Sequence, residues 1–146
     1  MDLILWRHAD AEPGDPDLQR KLTSKGKKQA KRVAEWLRRR LPSGVVVLVS
    51  PARRAQQTAQ ALTDSFKTEP ALGPGARAQQ VLAAAGWPDA KGTVVVVGHQ
   101  PAFGRAAALA LAGAPADWNI KKGALWWLGH RDGEIVLRAV VSPDLV

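Results

Sequence analysis

The sequence predicts an α/β protein with three layers, in which helices cover both faces of a mainly parallel central sheet. Three short runs are apolar without alternation, as buried parallel strands are: residues 3–6, 45–49 and 93–97. Segments with helical spacing separate these runs, which is the arrangement of a parallel sheet. Near the end of the chain, residues 124–128 and 135–141 flank an Asp-Gly pair, which favours a tight turn and predicts an antiparallel hairpin.

The first two helices are predicted from capping and breaking residues. The first begins near Thr23 or Ser24, because either hydroxyl suits an N-cap, and a Pro-Ser-Gly sequence at 42–44 ends it. The second follows Ser50 as its N-cap, and Pro51 takes its first turn. Its predicted apolar stripe consists of Ala55, Ala59, Leu62 and Phe66.

The rest of the chain adds two helices and a loop. The third helix spans about residues 76–85, and the fourth follows Pro101 and runs to about Ala112. The polar segment 12–21 is expected to be a mobile loop. No repeat or long linker divides the 146 residues, so residues 1–146 are predicted to form a single domain.

The composition excludes several classes of protein. Cysteine is absent, so disulfides, thiolate metal sites and cysteine nucleophiles are excluded. Arg7 and His8 interrupt the apolar start of the chain too early for a signal peptide. No segment reaches the roughly 18 apolar residues that a membrane span requires, and the apolar stretch at 106–116 is too short. We therefore expect a cytoplasmic protein without membrane contacts.

The net charge of +8 comes from one segment. Residues 19–40 hold ten basic side chains against Glu35 alone. The simplest interpretation is a solvated helix face. The alternative is a patch that attracts an acidic partner or nucleic acid. Trp36 is the segment's single aromatic residue and lies in the apolar part of the helix, so binding of nucleic acid by base stacking is not favoured.

The three predicted strands each end in residues that suit an anion. Arg7 and His8 follow the first strand, Ser50 to Arg54 follow the second, and His99 follows the third. Ligands of an open parallel sheet bind beyond the carboxyl ends of the strands, so these residues are expected at one edge. Guanidinium groups match phosphate oxygens, and the N-termini of the helices after the second and third strands add backbone donors. The pattern predicts a site for phosphate or for a phosphoryl group in transfer.

The two histidines are assigned different roles. A neutral imidazole is a nucleophile near neutral pH, whereas a serine requires an activating base. His8 is the predicted nucleophile, with its other ring nitrogen donating to a backbone carbonyl. His99 is expected across the phosphate, donating to an oxygen, while Arg7 and Arg54 stabilise the charge that builds up during transfer. His130 lies beside the hairpin turn and is interpreted as an ordinary surface residue.

Other chemistries fit the sequence less well. A catalytic zinc usually takes three protein ligands, but a third ligand is missing beside the two histidines, and the arginines would repel a cation. A serine hydrolase would carry a Gly-x-Ser-x-Gly elbow, and a nucleotide-binding loop would end in Lys-Ser or Lys-Thr. Neither pattern occurs. We therefore expect neither a metal ion nor an organic cofactor.

Four motifs, taken in order, resemble the histidine phosphatase superfamily, whose fold is also called phosphoglycerate mutase-like. Arg7-His8-Ala9 resembles its Arg-His-Gly signature, with alanine in place of glycine. The other matching blocks are Leu22-Thr23-Ser24-Lys25-Gly26 with Gln29-Ala30, the segment from Ser50 to Thr58, and Gly98-His99-Gln100-Pro101. The resemblance covers residues 1 to about 110. The short length and the Arg-His-Ala-Asp-Ala opening are most similar to the bacterial phosphohistidine phosphatases of the SixA type.

The resemblance implies a mechanism and a set of site residues. It implies that His8 becomes phosphorylated and that Arg7, Arg54 and His99 complete the phosphate pocket. The alignment selects Arg54 rather than Arg53, which is expected to point elsewhere on the helix. Water would then attack the phosphorylated His8 and release inorganic phosphate.

An acidic proton donor is missing where larger members of the superfamily carry one, in an insertion after the second arginine block. Residues 70–86 contain no Asp or Glu, and the remaining candidates are Asp10, Glu12 and Glu69. The alcohol leaving group of an ester needs a proton, whereas the imidazole of a phosphohistidine is an intrinsically better leaving group. The sequence therefore favours a phosphohistidine in a partner protein as the substrate.

Two other functions stay open. One is a small-molecule phosphomonoesterase that acts on a sugar phosphate or a nucleotide, with one of these carboxylates as the proton donor. The other is a non-catalytic binder of phosphorylated or nucleic-acid partners that uses the basic first helix.

Overall fold

A computed structural model describes all 146 residues and contains a six-stranded sheet. In chain order the strands and α-helices are β1 (Asp2–Arg7), α1 (Ser24–Arg38), β2 (Val46–Val49), α2 (Arg53–Gln60), β3 (Lys67–Thr68), α3 (Ala78–Ala85), β4 (Thr93–Gly98), α4 (Ala102–Ala112), β5 (Leu125–Arg131) and β6 (Glu134–Val141). The strands lie in the order β3-β2-β4-β1-β5-β6. The first four in this order pair in parallel, and β5 and β6 are antiparallel. The predicted fold class and the C-terminal hairpin are confirmed.

Two apolar cores lie on opposite faces of the sheet. Successive residues of a strand point to opposite faces, so β1 sends Leu3 and Leu5 into one core and Ile4 and Trp6 into the other. Helices α3 and α4 complete the first core, and α1 and α2 complete the second. All four of these β1 side chains are fully buried. The three layers leave the carboxyl ends of the strands open at one edge.

Helix α1 begins where the sequence predicts, with Thr23 as its N-cap. The Oγ1 atom of Thr23 accepts a hydrogen bond from the backbone N–H of Gly26 at 2.9 Å, which satisfies one of the unpaired donors of the first turn. The helix ends at Arg38, before the Pro-Ser-Gly sequence at 42–44 that is expected to end it, so Leu41 lies outside the helix. Its buried face consists of Gly26, Ala30, Val33, Ala34 and Leu37.

Helix α2 is shorter than predicted, and Ser50 does not cap it. The helix begins at Arg53 with Ala52 as its N-cap. The Ser50 hydroxyl accepts the N–H of Ala52 at 3.1 Å, so it stabilises the turn between β2 and α2 rather than the helix itself. The helix has only eight residues. Leu62 and Phe66 therefore pack against the core from the loop that follows.

The hairpin turns at the Asp-Gly pair, as predicted. Asp132 and Gly133 have φ values of 53° and 75°. Two-residue hairpin turns that match the twist of the strands require such positive values, which aspartate tolerates better than most residues and glycine adopts freely. Strand β5 continues to Arg131, which is three residues beyond the end that the sequence pattern indicates.

The sequence pattern does not predict two features of the fold. Strand β3 consists of two exposed residues beside β2, and it contains no apolar run that would identify it. Within residues 12–21, the predicted loop contains a 3₁₀ turn at Asp17–Gln19. A bridge between Ala11 and Leu22 closes the base of this segment. The segment is therefore held in place beside the edge of the sheet.

Helix α4 contains residues 106–112 of the apolar stretch noted in the sequence. It has eleven residues and is about 16 Å long at 1.5 Å per residue. It packs against α3 on one face of the sheet. None of the helices combines the length and the hydropathy that crossing a bilayer would require.

Candidate active site

The three predicted strand ends are neighbours in the sheet. β2, β4 and β1 are adjacent and parallel, so their carboxyl ends meet at one edge. Backbone pairing continues just past the strands: the His8 N–H donates to the Gly98 carbonyl at 2.9 Å, and the Ser50 N–H donates to the Val97 carbonyl at 3.0 Å. These bonds place Ser50, His99 and His8 side by side.

The rings of His8 and His99 face each other in a nearly closed space. Their centroids are 5.2 Å apart with an interplanar angle of 55°, and the two residues are only 7% and 3% exposed. The Nδ1 atom of His8 lies 2.7 Å from the carbonyl oxygen of Ala9. A carbonyl can only accept, so Nδ1 carries the proton and Nε2 keeps a free lone pair. This is the tautomer that a nucleophilic His8 requires.

The orientation of His99 depends on Ser50 and Arg54. The Nε2 atom of His99 lies 2.7 Å from the Ser50 hydroxyl, and Nδ1 lies 3.5 Å from Nη2 of Arg54. A guanidinium can only donate, so Nδ1 is the acceptor and the Nε2 proton is donated to Ser50. The sequence identified Ser50 as a helix cap, whereas here it holds a site histidine.

Burial and positive charge keep both histidines neutral. The pKa of His8 falls from 6.5 to about 4, chiefly because the ring is buried and also because Arg54 and Arg7 are close, while the bond to Ala9 opposes the shift. The pKa of His99 falls to about 3, first through burial and then because the ring of His8 and the guanidinium of Arg54 are close and disfavour a second positive charge. At pH 7 the Nε2 lone pair of His8 is therefore available.

Arg54 and Arg7 hold guanidinium groups at the same edge. Arg54 is 4% exposed, and its Nη1 donates to the backbone carbonyl of Asp17 at 2.9 Å. Nη1 of Arg7 donates to the carbonyl of Ile120 at 2.9 Å, and burial lowers the pKa of this guanidinium. The Nε atoms of both arginines are buried without a hydrogen-bond partner. Unpaired buried donors are costly, so an anion that accepts from them would be bound strongly.

Arg54 rather than Arg53 belongs to this edge, as the resemblance implies. Arg53, one residue earlier on α2, is exposed. The carbonyl of Arg54 accepts from the Thr58 hydroxyl at 2.7 Å, and the Oγ1 of Thr58 in turn accepts from the Ala9 N–H at 3.0 Å. These bonds fix α2 to the segment that carries His8.

Asp17 is the site residue that sequence reasoning misses. Its carboxylate accepts from Nη2 of Arg54 at 3.1 Å and from Nη1 of Arg20 at 3.1 Å. The hydrogen bond from Arg20 and then the one from Arg54 hold the pKa of the Asp17 carboxyl below its usual range. Nothing in the polar loop distinguishes Asp17 from its neighbours, because the contact depends on how the 3₁₀ turn lies against α2.

Two of the three candidate proton donors, Asp10 and Glu69, have carboxylates that are engaged in hydrogen bonds. The Asp10 carboxylate accepts from the Thr23 hydroxyl at 2.7 Å and from Lys122 at 3.1 Å, and these contacts lower the pKa of the Asp10 carboxyl. Oε1 of Glu69 accepts from the N–H of Ala71 at 3.2 Å. Glu12 is held only through its backbone, whose carbonyl accepts from Nε of Arg20 at 2.7 Å, and its carboxylate forms no hydrogen bond.

His130 lies at the opposite end of the sheet. Its backbone N–H donates to the carbonyl of Met1, at the start of β1, whereas His8 follows the end of that strand. The ring packs edge-on against Trp87, with centroids 5.9 Å apart. His130 is half-buried, so it is a packing residue more than a free surface residue.

Comparison with known proteins identifies relatives that share the fold. The chain is 34% identical to an uncharacterized protein of Picosynechococcus sp., over 99% of this chain and 93% of that protein. It superposes with a TM-score of 0.79 on the protein histidine phosphatase SixA complexed with tungstate, at 25% identity over 99% of both chains. It shares its fold with a phosphoserine phosphatase of Entamoeba histolytica bound to 3-phosphoglyceric acid, with a TM-score of 0.72 and 19% identity over 97% of this chain and 96% of that one.

The family model of branch 1 of the histidine phosphatases matches residues 3–77. This stretch runs from β1 past α2 and includes three of the four predicted site residues, while His99 lies beyond it, directly after β4. The match covers slightly more than half of the chain. The protein therefore belongs to the histidine phosphatase superfamily.

Proposed function

We propose that the protein is a phosphatase that forms a covalent phosphohistidine on His8 and takes its phosphoryl group from a phosphohistidine of a partner protein. One observation carries the proposal. Two neutral, buried histidines face each other beside two guanidiniums whose Nε–H groups have no partner. Such a cluster suits a tetrahedral anion, and His8 offers it a free lone pair.

In the first step, the Nε2 lone pair of His8 attacks phosphorus in line with the scissile bond. The N–P bond to His8 forms as the P–N bond to the substrate imidazole breaks, and the leaving nitrogen keeps the electron pair and takes a proton from solvent. Arg7 and Arg54 donate to the non-bridging oxygens and stabilise their charge. The arginine donors supply this stabilisation within the scheme, so no metal ion is needed.

In the second step, water attacks the phosphorus of phosphorylated His8. The O–P bond forms, the P–N bond breaks, and His8 recovers its Nε2 lone pair. The proton lost by water passes to solvent, and inorganic phosphate leaves. His99 faces the phosphoryl group through Nδ1, and the negative charge of the bound group raises the pKa of this ring, so that His99 can donate to an oxygen.

The state of the carboxylates supports phosphohistidine over an ester. Hydrogen bonds hold Asp10 and Asp17 in the ionised form, and Glu69 caps a 3₁₀ turn. Asp10 and Glu69 are therefore poorly suited to supply the proton that an alcohol leaving group requires, and Glu12 is the one candidate whose carboxylate forms no hydrogen bond. The similarity to SixA, described as a protein histidine phosphatase, favours the same choice.

The proposal is tested by phosphate release from a phosphohistidine peptide. We expect His8→Ala and Arg54→Ala to reduce kcat/KM at least about a thousand-fold, because each removes a group that acts on the reacting phosphoryl. Arg53→Ala is the matched control and should keep nearly full activity, since Arg53 is exposed on the same helix. A quench in alkali should trap an acid-labile phosphoenzyme in the wild type but not in His8→Ala.

Two results would reject the proposal. Wild-type turnover by folded His8→Ala would exclude His8 as the nucleophile. A clear preference of the wild-type protein for one small phosphate ester over the phosphohistidine peptide would instead identify a small-molecule phosphomonoesterase.

A further inference from the structure

A strongly basic groove shares Arg7 with the proposed phosphate pocket. It has a volume of about 670 Å³. Six basic side chains line it against two acidic ones, and no hydrophobic residue takes part. The basic residues are Arg7, Lys25, Lys28, Arg32, Lys121 and Lys122.

Helix α1 supplies one wall of the groove. Lys25, Lys28 and Arg32 follow one another at spacings of three and four, so they share one face of the helix. From the first to the last they span about 10 Å along the helix axis. The opposite face of α1 is buried in the core. Three of the basic side chains in residues 19–40 therefore line a groove that also contains Arg7. This part of the helix surface is more than a solvated face.

The lining of the groove restricts what it can bind. A protein interface with an apolar core requires apolar side chains, and a site that binds single-stranded nucleic acid requires aromatic ones. Neither kind of side chain lines this groove. Lys122 is partly neutralised by Asp10 at 3.1 Å, which leaves Arg7, the three α1 residues and Lys121 without a salt-bridge partner. The groove is suited to a polar chain that carries several negative charges.

We infer that the groove binds acidic side chains that flank the phosphohistidine of the partner protein. This inference rests on the proposed function. Charges spread over about 10 Å of helix match a peptide with carboxylates at successive positions better than a single compact ion. Lysine predominates over arginine, and its flexible ammonium accommodates carboxylates without fixed bidentate geometry. The positive field also steers an acidic partner toward the pocket.

The test compares two phosphohistidine peptides of equal length, one flanked by glutamates and the other by lysines. We expect kcat/KM for the acidic peptide to be about ten-fold higher at low salt and to fall as salt is added. The triple variant Lys25→Gln/Lys28→Gln/Arg32→Gln should lose this preference. It should keep wild-type activity toward p-nitrophenyl phosphate or inorganic phosphoramidate, whichever the wild type turns over, because neither reaches the groove.

A matched control removes three charges from exposed positions of the same segment that do not line the groove: Lys27→Gln/Lys31→Gln/Arg39→Gln. It should retain the preference for the acidic peptide. The charge reversal Lys28→Glu/Arg32→Glu should shift the preference toward the lysine-flanked peptide.

Four outcomes would overturn the inference. Equal rates for both peptides in the wild type would show that the groove does not bind the residues beside the phosphohistidine. An equal loss of the preference for the acidic peptide in the groove variant and in its control would show the same. Preference for a multiply phosphorylated small molecule over the acidic peptide would assign the groove to another ligand. Hydrolysis of small phosphate donors but of neither peptide would reject the phosphohistidine substrate itself, and with it the inference.

Discussion

At the scale of single residues, the site depends on which ring nitrogen of each histidine carries the proton. His8 is fixed by the carbonyl of Ala9, an immediate neighbour in the chain, so its tautomer follows from local geometry. His99 has no such local partner. Its ring is held by Ser50 and Arg54, which reach it from a different strand and helix. The His99 tautomer is therefore the less secure of the two.

We predict that Ser50 is a positioning residue for His99. Ser50→Ala removes the partner of Nε2, so the ring samples both tautomers, and we expect kcat to fall about ten-fold. The affinity for inorganic phosphate should change little, because Ser50 touches the ring and not the anion in our scheme. Nitrogen chemical shifts of the His99 ring, measured by NMR, should show the loss of a single tautomer.

The exposed serine variant Ser43→Ala is the control for Ser50→Ala. It should leave kcat and the His99 spectrum unchanged, since Ser43 lies on the surface beyond α1. If Ser50→Ala lowers stability and kcat while the His99 spectrum is unaltered, Ser50 serves only to hold the turn before α2.

At the scale of elements, the first turn of α1 fixes the segment that follows His8. Thr23 contacts Asp10 through both backbone and hydroxyl, and Gln29 accepts from the Asp10 N–H at 2.9 Å. The helix approaches so closely that a Cβ on Gly26 would lie 1.9 Å from the Asp10 carbonyl oxygen. Glycine is required here by the close approach of two backbones.

This contact inverts the usual effect of replacing glycine by alanine in a helix. Alanine normally stabilises a helix interior by up to about 1 kcal/mol. We expect Gly26→Ala instead to lower the free energy of unfolding by about 2 kcal/mol and to reduce activity, because the His8 segment must move. Urea denaturation measures the first effect. Gly75→Ala, where a Cβ would meet open space, should be neutral or stabilising, and a stabilising Gly26→Ala would contradict the packing described here.

How far each element follows from the sequence depends on how local its cause is. Thr23 and the Asp-Gly turn act within a few residues, so the start of α1 and the hairpin are predicted correctly. Serine is a residue type that favours helix N-caps, but the Ser50 hydroxyl instead hydrogen-bonds the ring of His99, which follows another strand. Asp17 reaches Arg54 across 37 positions of sequence. Contacts of this kind arise from tertiary packing and leave no local pattern.

At the scale of the whole molecule, the order of the strands decides which residues meet. The sequence identifies three strand ends with suitable side chains, but it does not say which strand lies in the middle. β4 is inserted between β2 and β1, so His99 lies between Ser50 and His8. This order brings the two rings to 5.2 Å and leaves Arg54 beside them. The sequence thus names Arg7, His8, Arg54 and His99 as candidates, while their arrangement and the contacts of Ser50 and Asp17 with them are properties of the folded sheet.

Burying two neutral histidines makes the stability of the protein depend on pH. Their folded pKa values of about 4 and about 3 lie below the ordinary 6.5, so the unfolded chain binds these protons first as the pH falls. The contribution to stability is fully present above pH 6.5 and is lost progressively toward pH 4, by at most about 1.4 kcal/mol per pH unit for each ring. Asp10 and Asp17, whose pKa values are also lowered, act only at more acidic pH.

We therefore expect the free energy of unfolding, measured in urea at pH 7, 6 and 5, to decrease steadily over this range. The double variant His8→Gln/His99→Gln should show a much flatter pH dependence, because it removes both groups that take up protons on unfolding. His130 is present in both proteins, so it does not contribute to the difference between them. Phosphate added to the wild type should stabilise it further, since a ligand that binds only the folded state raises the free energy of unfolding. Equal slopes for the wild type and the double variant would mean that the rings are already protonated in the folded protein near pH 6, and a protonated His8 has no lone pair to offer phosphorus.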